Sequence, residues 1–116
     1  MPNEVCGILL LDKPLGLSSH SATQRVKHLT GATRAGHVGS LDPLATGMLP
    51  ICLGEATKVA GEILEGAKQY RFTISLGAAT ATGDREGDVV RSAAVPALDV
   101  GMVDAVLQRF LGPSTQ

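Results

Sequence analysis

Tryptophan is absent, and Tyr70, Phe72 and Phe110 are the only aromatic residues of the chain. A core made from this sequence must therefore be aliphatic, drawn from the Leu, Ile, Val and Ala that make up most of its 44% apolar content. Cysteine is scarce too: Cys6 and Cys52 each sit inside an apolar run, which excludes a disulfide framework and predicts a reduced, buried pair. No His/Cys spacing fits a zinc site, so no metal is expected. No apolar run approaches the roughly 18–20 residues that span a membrane. No cleavable targeting segment opens the chain, which makes the cytoplasm the expected compartment. A net charge of −1 does not by itself suggest a nucleic-acid partner.

One absence is local and more informative. Residues 13–41 contain no Asp or Glu; all eleven acidic residues lie elsewhere. That stretch carries Lys13, Arg25, Lys27 and Arg34 together with all three histidines. A locally positive surface on a nearly neutral protein is what a phosphate-backbone contact requires. A solvated helix face is the plainer alternative.

The 116 residues suit one small domain. Residues 5–11 (VCGILLL) form a short apolar run and predict a buried strand. Ser18-Ser19 offers an N-cap for a helix over about 20–29, with Ala22, Val26 and Leu29 on its inner face and Gly31 as its stop. Residues 48–53 (MLPICL) predict a second strand, which Pro50 would confine to an edge or a bulge. A helix is expected from Gly54 to about Leu64, with Val59, Ile63 and Leu64 inward. The cleanest strand pattern is 68–76, where Tyr70, Phe72, Ile74 and Leu76 alternate with polar residues. A polar loop, a short strand over 88–91 and a helix from Asp99 to about Leu111 complete the chain, the last burying Val103, Val106, Leu107 and Phe110. The class is α/β (α+β), a mixed sheet with flanking helices.

Residues 31–47 (GATRAGHVGSLDPLATG) follow neither period and hold four glycines and a proline in 17 residues. A loop this long in a compact domain is usually functional or disordered, and its apolar Val38, Leu41 and Leu44 favour an ordered one with room for a short strand or turn inside. Within it, Pro43 restricts Asp42 to extended dihedrals, and Leu41 and Leu44 would partly desolvate its carboxylate. Such a group can act as nucleophile or base, or can close an Asx-turn on its own backbone. His37 can contact a base or phosphate, or be an ordinary loop histidine; Arg34 can bind phosphate or sit on the surface. Tyr70 reads as a core tyrosine with its hydroxyl at the rim, or as a stacking platform. The acids Asp84, Glu86 and Asp88 lack calcium-loop spacing and read as solvated.

The segment Gly39-Ser40-Leu41-Asp42-Pro43-Leu44-Ala45-Thr46-Gly47, preceded by Gly36-His37, resembles the signature loop of the TruB family of tRNA pseudouridine synthases, bacterial branch. Leu10-Leu11-Asp12-Lys13-Pro14 with Gly16 and Ser18-Ser19 resembles the family's opening motif. The run from Met48 to Lys58, Lys68-Gln69-Tyr70 and the loop from Thr80 to Gly87 agree in order and spacing, although the acidic residue often found before position 82 is Ala81 here. The resemblance implies isomerisation of uridine to pseudouridine at position 55 of the tRNA T-loop. It implies Asp42 as the initiating carboxylate, and Tyr70 as the second catalytic residue, stacking on the base. His37, Arg34, Lys13, Arg25 and Lys27 would face RNA, with Lys13 and Pro14 supporting the catalytic loop rather than reacting, while Gly36, Gly39, Leu41, Pro43, Thr46 and Gly47 support the loop. No cofactor and no metal are implied; the partner is the tRNA T-arm, without a membrane, and the full-length form is expected to be a monomer. Residues 1–116 would be the N-terminal portion of an incomplete catalytic domain, with the rest of that domain and a C-terminal RNA-binding domain absent, so this piece alone is expected to be inactive. The alternative is a non-catalytic tRNA-binding fragment of the same fold.

Overall fold

The computed structural model describes residues 4–115, and the chain divides into two compact units, Met1–Gln69 and Tyr70–Gln116. In the first unit the apolar run after residue 5 becomes strand β1 (Gly7–Lys13). Helix α1 follows over Ser19–Thr30. Its N-cap is Ser18, whose hydroxyl accepts from the amide of Ser21, and Gly31 closes it in the left-handed conformation at φ 74°. The glycine-rich segment contains a short strand, β2 (Ala35–His37), and leads into β3 (Gly47–Leu53). A 3-10 turn (Gly54–Val59) and a brief helix α2 (Ala60–Leu64) end the unit.

The sheet order is β1-β3-β2, and every ladder among the described residues is antiparallel, where the sequence led us to expect a mixed sheet. The α+β class holds. β1 and β2, joined by α1, run parallel to each other, but β3 slots between them, so no two neighbours are parallel. Helix α1 covers one face. Ala22 and Val26 meet Leu49, Ile51 and Leu53, with Leu9 and Leu11 beside them. Full burial of Leu49 and Ile51 contributes on the order of 1.5–3 kcal/mol each. The opposite face of β1 is open: Ile8 and Leu10 are exposed, which corrects the reading of β1 as buried on both sides. Leu29, Val59 and Leu64 are exposed as well, since α1 turns Leu29 outward and the 3-10 geometry of 54–59 breaks the expected helical face. Cys52 is fully buried and its burial pushes the thiol up, whereas Cys6 is exposed; both are free thiols.

Pro50 points to an edge or a bulge, yet β3 is the central strand and its ladder with β1 runs through Leu10↔Pro50 in unbroken register. In an antiparallel strand the N–H and C=O of one residue point to the same side. The Pro50 carbonyl accepts from the amide of Val38 at 2.9 Å, so its missing N–H faces β2, whose ladder stops one residue earlier at His37↔Ile51. The β1–β3 ladder therefore loses no bond.

Gly54 joins β3 to the 3-10 turn at φ 61°, buried, with its amide on the Arg34 carbonyl. A Cβ there would lie 2.4 Å from the Val5 carbonyl oxygen. The left-handed conformation costs about 1–2 kcal/mol for other residues, and the backbone clash adds to it. Gly54→Ala is expected to lower stability by at least about 2 kcal/mol, read as a fall in the urea midpoint; an unchanged midpoint would contradict this packing.

Residues 68–76, most of them in the second unit, form no ladder among the described residues, although they carry the clearest alternation in the chain. Alternation sets which side chains share a face, but a strand also needs a hydrogen-bonded neighbour. Tyr70, Phe72, Ile74 and Leu76 are all exposed. Strands β4 (Ala78–Thr80) and β5 (Val89–Ser92) pair as a hairpin, and β4 falls inside the stretch expected to be loop. Helix α3 (Val100–Gln108) starts where expected, with the Asp99 carboxylate accepting from the amide of Met102. Its apolar residues Val103, Val106, Leu107 and the following Phe110 are exposed, against expectation.

Candidate active site

Asp42 lies on the 38–46 segment between β2 and β3 and opens a β-turn, with the amide of Ala45 donating to its carbonyl at 2.8 Å. Pro43 takes the second position of that turn, where its fixed φ is already suitable. The residues on either side of Asp42 are pinned. Leu41 packs on the core. The hydroxyl of buried Ser19 donates to the Leu41 carbonyl and accepts from the Leu41 amide, both at 2.8 Å. On the other side the carbonyl of Pro43 accepts from the amide of Gly16 at 2.7 Å.

Gly16 belongs to the turn that follows β1, and Lys13 holds that turn closed. Lys13 is fully buried, and its ammonium donates to the carbonyls of Pro14 (2.9 Å) and Leu17 (2.6 Å). This corrects its assignment to the RNA-facing set. The side chain sits on the inner face of β1, in register with Gly47, and its donors are turned onto its own turn.

Asp42 itself is exposed, because Leu41 turns inward rather than over it. It joins neither ion pair among the described residues, and its carboxylate closes no Asx-turn there. The result is an exposed carboxylate on a backbone held by hydrogen bonds on both sides. Four residues before Leu41, His37 ends β2, half-buried, with Nδ1 against the carbonyl of Gly39. In a neutral ring, donation from Nδ1 to that carbonyl leaves Nε2 as an acceptor. Gly39, at φ 73°, makes the turn that lets this carbonyl reach the ring. Gly36 pairs with Cys52 inside β2, Thr46 is exposed, and Gly47 begins β3 opposite Lys13.

The basic residues are dispersed. Arg34 Nη2 is 2.8 Å from Glu55 Oε1, and Lys58 holds the other oxygen of the same carboxylate. Lys58 first, then Arg34, keep the Glu55 carboxyl below its ordinary range. Arg25 is exposed on α1 and Lys27 is half-buried; two residues apart on a helix, they point to different faces. Tyr70 belongs to the second unit and is 64% exposed there, so it is not the rim of a core. Asp84 organises its own loop. Its Oδ1 accepts from the Thr82 hydroxyl (2.6 Å) and the Glu86 amide (2.9 Å), which lower its pKa in that order. Among the described residues no three His, Cys, Asp or Glu side chains cluster as a metal site needs.

Sequence reasoning missed Ser19 and Gly16 as loop anchors. A signal existed for Ser19. Helix α1 needs one N-cap, Ser18 provides it, and the second serine of the pair was left without a task.

A small antiparallel sheet backed by one helix makes an α+β scaffold that displays the Asp42 carboxylate between two anchored residues. The pattern described as TruB family pseudouridylate synthase (N terminal domain) matches residues 27–116. The chain belongs to this family. It is 52% identical over 113 residues to tRNA pseudouridine synthase B of Nitrosococcus oceani, covering 97% of this chain and 37% of that protein. It is 54% identical over 106 residues to the protein of the same name from Xylella fastidiosa, covering 91% of this chain and 35% of that one. The chain thus spans about a third of the length of the curated relatives it matches. Among solved structures, a chain of an H/ACA RNP bound to a substrate RNA containing 2'-deoxyuridine is similar at a TM-score of 0.49, with 41% identity over 50% of this chain and 18% of that chain.

Proposed function

We propose that this chain carries the initiating aspartate of an enzyme that isomerises uridine to pseudouridine at position 55 in the T-loop of tRNA, and that in the whole protein it supplies the N-terminal portion of the catalytic domain. The observation that carries the reading is the exposed Asp42 carboxylate, held between Leu41 and Pro43 by bonds from Ser19 and Gly16. In the reaction the N1–C1′ bond breaks, the uracil turns, and C5 joins C1′. The proton leaving C5 is matched by one gained at N1, so the sum of atoms and electrons is unchanged and the balance needs no cofactor. Asp42 starts the sequence either by attacking the sugar or by abstracting a sugar proton to give a glycal.

The target uridine must leave the stacked loop to reach an anchored carboxylate, so the RNA presents it flipped. His37 contacts the displaced T-loop nucleotides, Tyr70 stacks on the turned base, and Arg25, Lys27 and Arg34 face the tRNA backbone. The whole protein acts as a cytoplasmic monomer on the tRNA T-arm. The test is to incubate a T-arm stem-loop RNA with the whole protein and to label pseudouridine with a carbodiimide, since the isomer has the same mass as uridine. One modified site per stem-loop, in the T-loop, is the expected result. RNA that is bound but never modified would instead support a non-catalytic tRNA-binding role.

A further inference from the structure

We propose that Ser19 is a positioning residue for Asp42: its hydroxyl serves Leu41 as an adjoining strand would, and thereby fixes where the next residue presents its carboxylate. The inference rests on the reading of Asp42 as the initiating group. Leu41 lies outside every strand, so no ladder satisfies its amide and carbonyl. One side-chain atom does so instead. Ser19 Oγ donates to the Leu41 carbonyl and accepts from its amide, each at 2.8 Å and across 22 residues of sequence. A hydroxyl offers one donor and two acceptor sites, so a single serine can hold both groups, whereas Ala can hold neither.

The anchor on the other end of this bond is rigid. Ser19 is 4% exposed and sits in the first turn of α1, and its carbonyl accepts from the hydroxyl of Thr23, which is 2% exposed. Helix α1 is packed on the sheet through Ala22 and Val26. The chain of support therefore runs from core to helix, from helix to hydroxyl, and from hydroxyl to the backbone adjoining Asp42. Gly16 secures only the far side, through Pro43. With one of two supports gone, Asp42 would swing about the remaining one.

Ser19→Ala in the whole protein tests this, because a misplacement of about 1 Å at a reacting group can cost roughly 100-fold in rate. The single-turnover rate of pseudouridine formation in T-arm RNA should fall by about 10- to 100-fold. The dissociation constant for the same RNA should change by less than about threefold, because Ser19 is buried and meets no ligand. Native-state exchange of the Leu41 amide should quicken, with exchange in the sheet unchanged. Ser19→Thr, which keeps the hydroxyl, should recover both the slow exchange and part of the rate. A rate within about twofold of wild type in Ser19→Ala overturns the inference, as does an equal loss of rate and affinity, which would mark a general loss of folding. If the Thr variant proves overpacked by its melting transition, the Leu41 exchange in Ser19→Ala decides: unchanged exchange overturns the proposal. Wild-type protein that forms no pseudouridine would overturn the functional reading instead, and the same exchange comparison would still decide whether Ser19 holds the loop.

Discussion

On the function proposed above, Asp42→Asn in the whole protein is expected to lower pseudouridine formation by about 10⁴-fold or more, in line with the loss seen when a reacting group is removed outright. The amide has almost the same shape and cannot attack the sugar or take its proton. Stability should change by less than about 0.5 kcal/mol, because the carboxylate is exposed and joins no ion pair among the described residues. RNA affinity should be kept for the same reason, since the change replaces neither the loop backbone nor any basic group. Measured together, rate, melting midpoint and RNA affinity separate a reacting group from a structural one. A variant that still modifies the T-loop uridine at a tenth of the wild-type rate would remove Asp42 from the chemistry.

The second large effect concerns Lys13, whose whole side chain is buried with its ammonium on two backbone carbonyls. Lys13→Ala removes the packed stem, opens a cavity and strips the Pro14 and Leu17 carbonyls of their donor. A loss of about 3–5 kcal/mol is expected. Lys13→Met keeps most of the stem and relieves the desolvation of a buried charge, so it should cost less, about 1–3 kcal/mol. The gap between the two, read from urea midpoints, separates packing from hydrogen bonding. A Lys13→Ala midpoint within error of wild type would mean that the turn after β1 stands without this lysine. Because Gly16 in that turn holds Pro43, either variant should also slow the reaction more than it weakens RNA binding.

Much of the first unit was legible in the sequence. The run in β1, the Ser18 cap, the Gly31 stop and the order of elements follow from local chemistry, and local chemistry survives into the fold. The 31–47 segment was legible as an ordered loop because its glycines and Pro43 interrupt any regular period while Leu41 seeks a core, although Ala35–His37 within it pairs as β2. Three kinds of reading failed, for one shared reason. Pro50 reads as an edge or bulge residue because strand neighbours are invisible in sequence; its missing donor falls where β2 ends. Lys13 counts among RNA-facing residues because charge usually means solvent, but its place on the inner face of β1 and the nearby carbonyls leave it only the loop-supporting part that the resemblance also implies. Residues 68–76 and 100–110 have the right periodicity for a buried face and are exposed, since periodicity specifies a face without supplying what covers it.

The amino-acid order alone determined the class of this protein, the family to which it belongs and the identity of the loop aspartate, because propensity, capping and a motif of fixed spacing are properties of neighbouring residues. Which groups hold that aspartate in place was decided only by the tertiary structure. Ser19 and Leu41 are 22 residues apart, and a hydroxyl that both gives and takes a hydrogen bond across that distance exists only after α1 has packed onto the sheet.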